Sequence, residues 1–281
     1  MCGILGIYNL DGSSVSKDSI IEMGNKLNHR GPDGEGIFVQ NKIGFVHKRL
    51  AILDPSENGQ QPMHSKDGKW VVVFNGCIYN FKELRDELIQ KGRHFQSESD
   101  TEVIVEGLAT YGTSFFERFN GMFAIGAWNI EEEKLYLSRD RYGIKPLYYW
   151  FNGKTLVFAS EIKGIIQHPD YEMGVDLDAL NEYFTFQNIF SYNTLFKGVY
   201  MLPPANTAVV DRKTTFVKHN SWWDYDFSKT DDAMSFANAK EQTKNLFEQA
   251  VTRQMVSDVP VGAYLSGGMD SGSIASVASK Q

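Results

Sequence analysis

The chain has 281 residues, a length that predicts roughly two domains, and its 42% hydrophobic and 22% charged composition is that of a globular protein with a true core. A net charge of -7 excludes the basic surface that duplex nucleic acid requires, and no apolar run approaches the ~18 residues of a membrane helix. The start lacks a basic n-region, Asn9, Asp11 and Gly12 interrupt its short apolar stretch, and Cys2 and Cys77 are too few for a zinc or disulfide framework. These features predict a soluble cytoplasmic protein.

In chain order, "GILGIYN" reads as a first strand placed directly behind Cys2. A helix follows, with Ile20, Met23 and Leu27 facing inward ahead of His29. The runs "GEGIFVQ", "IGFVHKRLAILD" and "KWVVVFNG" read as further strands. Two helical patterns come next. In "NFKELRDELIQKG", Asn80 is the expected N-cap with Glu83 at N3, and Phe81, Leu84 and Leu88 form the inner face. In "SDTEVIVEGLATYG", Ser99 and Glu102 make a capping-box pair, Val103, Ile104 and Leu108 form the stripe, and Gly112 ends it. The runs "MFAIGAWN", "KLYLSRD", "PLYYWF" and "TLVFAS" add strands, and the stretch from Leu202 reads as a last strand pair followed by a polar connection. Many strands with a few helices grouped between them predict an α+β sandwich.

From Phe236 the pattern changes. "FANAKEQTKNLFEQAVTRQMVSD" has helical periodicity, "VPVGAYL" reads as a buried strand, "SGGMDS" as a glycine-rich turn and "GSIASVASK" as a helix start. Strand, turn and helix open a parallel α/β domain, but a βαβ unit needs ~30 residues or more, so only the first piece of such a domain is expected. The predicted division is 1–210, a linker over 211–235, and 236–281.

Removal of Met1 would give Cys2 a free α-amine beside its thiol. A thiol of pKa ~8.5 needs a base, and an α-amine of pKa ~7.7–8.0 supplies one, so the first residue forms a complete nucleophile unit. Taken alone, Cys2 reads first as a small buried hydrophobe of the first strand. Asn75-Gly76 reads either as a type I′ hairpin turn or as an oxyanion hole of side-chain amide and backbone N–H. Arg49 is either a surface ion-pair residue or a fork for a substrate carboxylate. Asp100 either favours a helix start or accepts from an α-ammonium.

These pieces occur in one order with "HRGPDGEG" (29–36), "RDRYGIKPLYY" (139–149) and "FASEIKG" (158–164), and together they resemble the class II glutamine amidotransferase domain. The resemblance implies an N-terminal-nucleophile hydrolase fold, a four-layer αββα sandwich that hydrolyses glutamine through a γ-glutamyl thioester. It implies Cys2 as nucleophile with its α-amine as base, and Asn75 and Gly76 as oxyanion donors. Arg49 would take the glutamine α-carboxylate and Asp100 its α-ammonium, with Ala51, Ile52 and Leu53 lining the pocket. The family usually shows "NGEIYN" where this chain has "NGCIYN", so Cys77 replaces a glutamate and weaker glutamine binding is expected. The same layout puts Cys77 near Cys2, where a disulfide would switch the site off under oxidant.

"YLSGGMDSGSIA" resembles the SGGxDS loop of ATP pyrophosphatases. Gly267 and Gly268 offer backbone N–H groups to phosphate at a helix start, Ser266 and Ser271 add hydroxyls, and Asp270 caps the helix or assists Mg²⁺. In combination the chain resembles the glutamine-hydrolysing asparagine synthetase family. That implies ATP with Mg²⁺, aspartate activated as an acyl-adenylate, Leu265 beside the nucleoside, and a homodimer as the family expectation. The alternatives are another carboxylate acceptor, a glutaminase-only fragment, or a glutamine-binding module without catalysis.

Overall fold

The computed structural model describes residues 1–228, 230 and 233–281. They divide into two compact units, Met1–Asp224 and Tyr225–Gln281. The first half of the strands are β1 (Gly3–Asn9), β2 (Gly34–Gln40), β3 (Ile43–Arg49), β4 (Met63–His64), β5 (Trp70–Ile78) and β6 (Gly121–Asn129). The rest are β7 (Lys134–Arg139), β8 (Tyr148–Phe151), β9 (Thr155–Ala159), β10 (Val199–Met201), β11 (Asn206–Val210) and β12 (His219–Ser221). They form two 6-stranded sheets, ordered β10-β8-β9-β1-β3-β2 and β12-β11-β7-β6-β5-β4. The helices of this unit are α1 (Lys17–Asn25), α2 (Phe81–Gln90), α3 (Asp100–Tyr111), α4 (Ile162–Ile165) and α5 (Leu177–Phe186).

Alternation along β1 explains the layering. Ile4 and Tyr8 join Phe45, Val71, Val73, Trp128 and Phe158 in the apolar layer between the sheets. Leu5 and Ile7 point the other way, against Ile20, Met23 and Leu27 of the α1 region and Ile165 of α4. On the far side α3 packs on β5 and α2 packs on α3. The order helix, sheet, sheet, helix is the expected α+β sandwich, and β1 is buried over its whole length because it lies between two apolar layers.

Two capping expectations need correction. Asn80 sits at the N-cap of α2 but makes no capping bond. Its Oδ1 instead accepts from Asn120 N–H at 2.8 Å and its Nδ2 donates to the Arg118 carbonyl at 3.1 Å, so the amide ties the strand end to the segment before β6. Ser99 does cap α3, accepting from Glu102 N–H at 3.3 Å. Glu102 does not return the bond. Its carboxylate accepts from Gln96 and Ser97 N–H, closing the turn that precedes the helix.

The second unit holds α6 (Phe236–Gln254) and α7 (Met269–Ala278), which pack on each other. The strand expected over residues 259–265 is not formed. Among the described residues no strand pairs with it, and an unpaired strand leaves its backbone donors and acceptors to water. No helix of the described residues is long and apolar enough to cross a membrane.

Candidate active site

Gly3 pairs with Lys48 in the β1–β3 register, so Cys2 and Arg49 lie at the same end of two neighbouring inner strands. The Cys2 thiol donates to the Leu50 carbonyl at 3.6 Å, and Leu50 N–H donates to the sulfur at 3.4 Å. Burial pushes the thiol above its ordinary pKa, while the Leu50 N–H and the N-terminal charge pull it back. Arg30 holds the residue from below, its Nε donating to the Cys2 carbonyl at 2.9 Å and its Nη1 to Glu161 at 2.8 Å. Burial alone would raise Glu161, but hydrogen bonds from Arg30, Lys163 and His29 outweigh it and bring the carboxyl to about 2.

The strand expected to run through "IGFVHKRLAILD" ends at Arg49, because Arg49 folds the next segment back over itself. Its guanidinium donates to the Ser56 carbonyl at 2.7 Å and to the Asp54 carbonyl. Asp54 in turn accepts from Glu98 N–H at 2.8 Å, which fastens this loop to the approach of α3. Ala51 N–H donates to Asp33 at 2.9 Å, and Ile52 is 41% exposed at the loop surface. Arg49 is thus neither a surface ion-pair residue nor wholly free, since part of its fork already serves the loop.

Asp100, at the start of α3, accepts from Ile78 N–H at 2.9 Å. Complete burial pushes its carboxyl up to about 7, against the opposing pull of backbone N–H groups from Ile78, Asp100 and Thr101. Asp100 and Arg49 both lie near enough to Cys2 to shift its thiol, in opposite directions.

Asn75 and Gly76 make no hairpin turn. They lie inside β5, opposite Ala124 and Phe123 of β6. A Cβ at Gly76 would stand 2.1 Å from the Met122 carbonyl oxygen, so the strand pairing admits glycine alone. Asn75 is 1% exposed, and its Nδ2 is buried with no hydrogen-bond partner. A buried amide donor left unpaired costs about 1–3 kcal/mol, a cost removed by a ligand oxygen that accepts from it. Cys77 follows in the strand with its thiol pushed up to about 12 by burial and by Asp100, and both cysteines are free.

The sequence reading gave no role to Arg30, Glu161 or Lys145, although each lies in a run quoted above. Asp140 and Arg139 build the turn that presents Lys145. Asp140 accepts from the N–H groups of Phe123 at 3.0 Å, Ile144 at 2.9 Å and Lys145 at 3.0 Å. Arg139 donates to the carbonyls of Lys145 at 2.8 Å and Leu202 at 2.7 Å. The buried Lys145 ammonium then reaches the Met1 sulfur at 3.0 Å.

In the second unit, Ser271 ties the SGG loop together. Its hydroxyl lies 2.9 Å from that of Ser266 and donates to the Gly268 carbonyl at 3.1 Å. Gly267 has a φ of +81°, a left-handed conformation that favours glycine. Leu265 is 68% exposed. The loop's donor set suits an ion carried by phosphate oxygens better than a protein cage, because it offers the single carboxylate Asp270. Among the described residues no group of three or more His, Cys, Asp or Glu converges on a metal site.

The Arg49 guanidinium and the buried Asp100 carboxyl thus lie near enough to the Cys2 thiol to act on it, and β5 of the second sheet adds the unpaired amide donor of Asn75. That set suits acyl transfer from a substrate with a zwitterionic end. Comparison with known proteins agrees in kind. Residues 242–281 match the asparagine synthase family. The chain is 37% identical over 286 residues to glutamine-hydrolysing asparagine synthetase 3 of Bacillus subtilis (strain 168), covering 99% of this chain and 45% of that protein. It is 34% identical over 284 residues to the glutamine-hydrolysing asparagine synthetase of Zea mays, covering 100% and 42%. The chain spans about half the length of the curated relatives it matches. In fold it resembles glutamine phosphoribosylpyrophosphate amidotransferase from B. subtilis, with a TM-score of 0.57 and 19% identity over 99% of this chain and 64% of that one. Residues 1–223 match the glutamine amidotransferase domain model, and the chain belongs to that family.

Proposed function

We propose that the first unit hydrolyses glutamine at Cys2 and that the ammonia serves a glutamine-dependent asparagine synthetase reaction. The unpaired, buried Nδ2 of Asn75 carries this reading, because such a donor suits an oxyanion that exists only during the reaction. With Met1 removed, the Cys2 amine takes the thiol proton as sulfur attacks the glutamine side-chain carbonyl. Asn75 Nδ2 and Gly76 N–H receive the oxyanion. The amine returns the proton to the leaving nitrogen, the C–N bond breaks, and ammonia departs from a γ-glutamyl thioester. Water, deprotonated by the same amine, then releases glutamate and restores the thiol.

Arg49 takes the α-carboxylate with the remainder of its fork, Asp100 the α-ammonium, and the backbone at Ala51, Ile52 and Leu53 lines the pocket. Cys77 stands where a second carboxylate would strengthen the ammonium site. In the synthetase step aspartate is activated by ATP as β-aspartyl-AMP, and ammonia displaces AMP after pyrophosphate has left. Ser266, Gly267, Gly268 and Ser271 would cradle the phosphates, and Leu265 would lie beside the nucleoside. Mg²⁺ would offset phosphate charge, with Asp270 the nearest carboxylate of the loop. The chemistry divides between 1–210 and 236–281, joined by 211–235, and the same reading has a homodimer at work in the cytoplasm.

Glutamate release from glutamine tests the glutaminase step. Asn75→Ala is expected to lower kcat about 10²–10³-fold with little change in KM. A variant as fast as the unaltered chain would remove Asn75 from the oxyanion site.

A further inference from the structure

Lys145 is an unusual lysine, buried beside the nucleophile and fixed by its own backbone. The Arg139–Asp140 turn holds both its N–H and its carbonyl, so the side chain projects from a rigid base. Its ammonium touches the Met1 sulfur and forms no ion pair among the described residues. The charged and titratable groups that face it are Arg30, Cys2, Asp140 and Cys77. Those that face the Met1 amine are Cys2, Arg30, Lys145 and Asp33. Cys2 itself also feels Asp100 and Arg49.

A buried ammonium is costly, and a position without a carboxylate partner needs a compensating use. Met1 now covers that ammonium, so its removal turns Lys145 toward the space of the new N-terminus. We propose that Lys145 is a positioning residue for the nucleophile, whose fixed positive charge keeps the exposed Cys2 amine neutral and ready to accept the thiol proton. The inference rests on the glutaminase reading above and deepens it. The direction follows from Coulomb's law, since a second ammonium nearby disfavours protonation of the amine. One residue earlier, burial lowers the Met1 amine from its ordinary value, Arg30 and Lys145 lower it further, and Cys2 and Asp33 act against them. Burial also lowers Lys145, but a lysine losing its proton on the alkaline side keeps its charge through the acid limb where the effect is read.

The test is the pH profile of kcat for glutamate release at saturating glutamine, where the ionisation of Asp100 is already committed to binding. Lys145→Met keeps the aliphatic stem and removes the charge. Its acid limb is expected to move up by about half a pH unit, a roughly threefold lower kcat at pH 6 relative to the plateau. Lys145→Gln should move the limb likewise and stands in if the Met variant fails to fold, and Lys145→Arg should restore the original midpoint. A neutral variant with an unmoved midpoint, whatever its plateau, overturns the role of Lys145. A wild-type chain with Met1 removed that releases no glutamate overturns the glutaminase reading itself, a distinguishable result.

Discussion

At residue scale, the ammonium-binding role proposed for Asp100 makes substrate capture depend on pH. Its carboxyl is pushed up to about 7, so it holds a proton below neutrality, and an α-ammonium requires the ionised form. Glutamine binding must then expel that proton. KM for glutamine is expected to rise by up to about tenfold per pH unit as pH falls below 7 and to level off above it. A KM that stays flat from pH 6 to 8 would remove Asp100 from the ammonium site. The residues proposed for the site stood out in the sequence because their side-chain chemistry is distinctive: a thiol at position two, an Asn-Gly pair, one arginine and one acid at a helix start. Lys145, Arg30 and Glu161 did not, because each acquires its role only when the fold brings it to the N-terminus from a distant run. The unread partner of Arg49 was likewise its own loop, whose carbonyls no side-chain pattern announces.

At the scale of elements, strand-type composition identified most strands of both sheets, though not the short β4 and β10. It failed where tertiary pairing decided the outcome. Asn75-Gly76 favours a turn in isolation, but pairing with β6 carries β5 straight through it. Residues 259–265 have a strand's composition and find no partner. The helix α5 was missed by the sequence reading although Leu177, Leu180 and Phe184 recur at helical spacing, and its large apolar residues face outward, with Leu177 72%, Phe184 76% and Phe186 62% exposed. The sheet-to-sheet layer is the main source of stability. Phe158 is fully buried there and meets Phe45 edge-on, with ring centroids 5.7 Å apart. Phe158→Ala is expected to cost about 3–5 kcal/mol in urea unfolding, and a loss under ~1 kcal/mol would mean that this layer repacks freely.

At the scale of the whole molecule, the two units differ in how much they bury. The sandwich holds two apolar layers, whereas no residue of α6 is buried. Local opening should therefore be far easier in the second unit. Limited trypsin digestion is expected to cut first at Lys240, Lys244 or Arg253 and to leave a lasting fragment containing residues 1–224. Simultaneous loss of both units would show that they unfold together.

Intact-mass measurement after incubation with 6-diazo-5-oxo-norleucine, a glutamine mimic that alkylates a competent nucleophile, tests the central claim most directly. The predicted result is a chain without Met1 that carries one adduct, mapped to Cys2 and absent from Cys2→Ser. A trimmed chain with no adduct would contradict the proposed glutamine pocket, with Cys77→Glu the first variant to make. An unlabelled chain that keeps Met1 would contradict the nucleophile assignment and favour a glutamine-binding module.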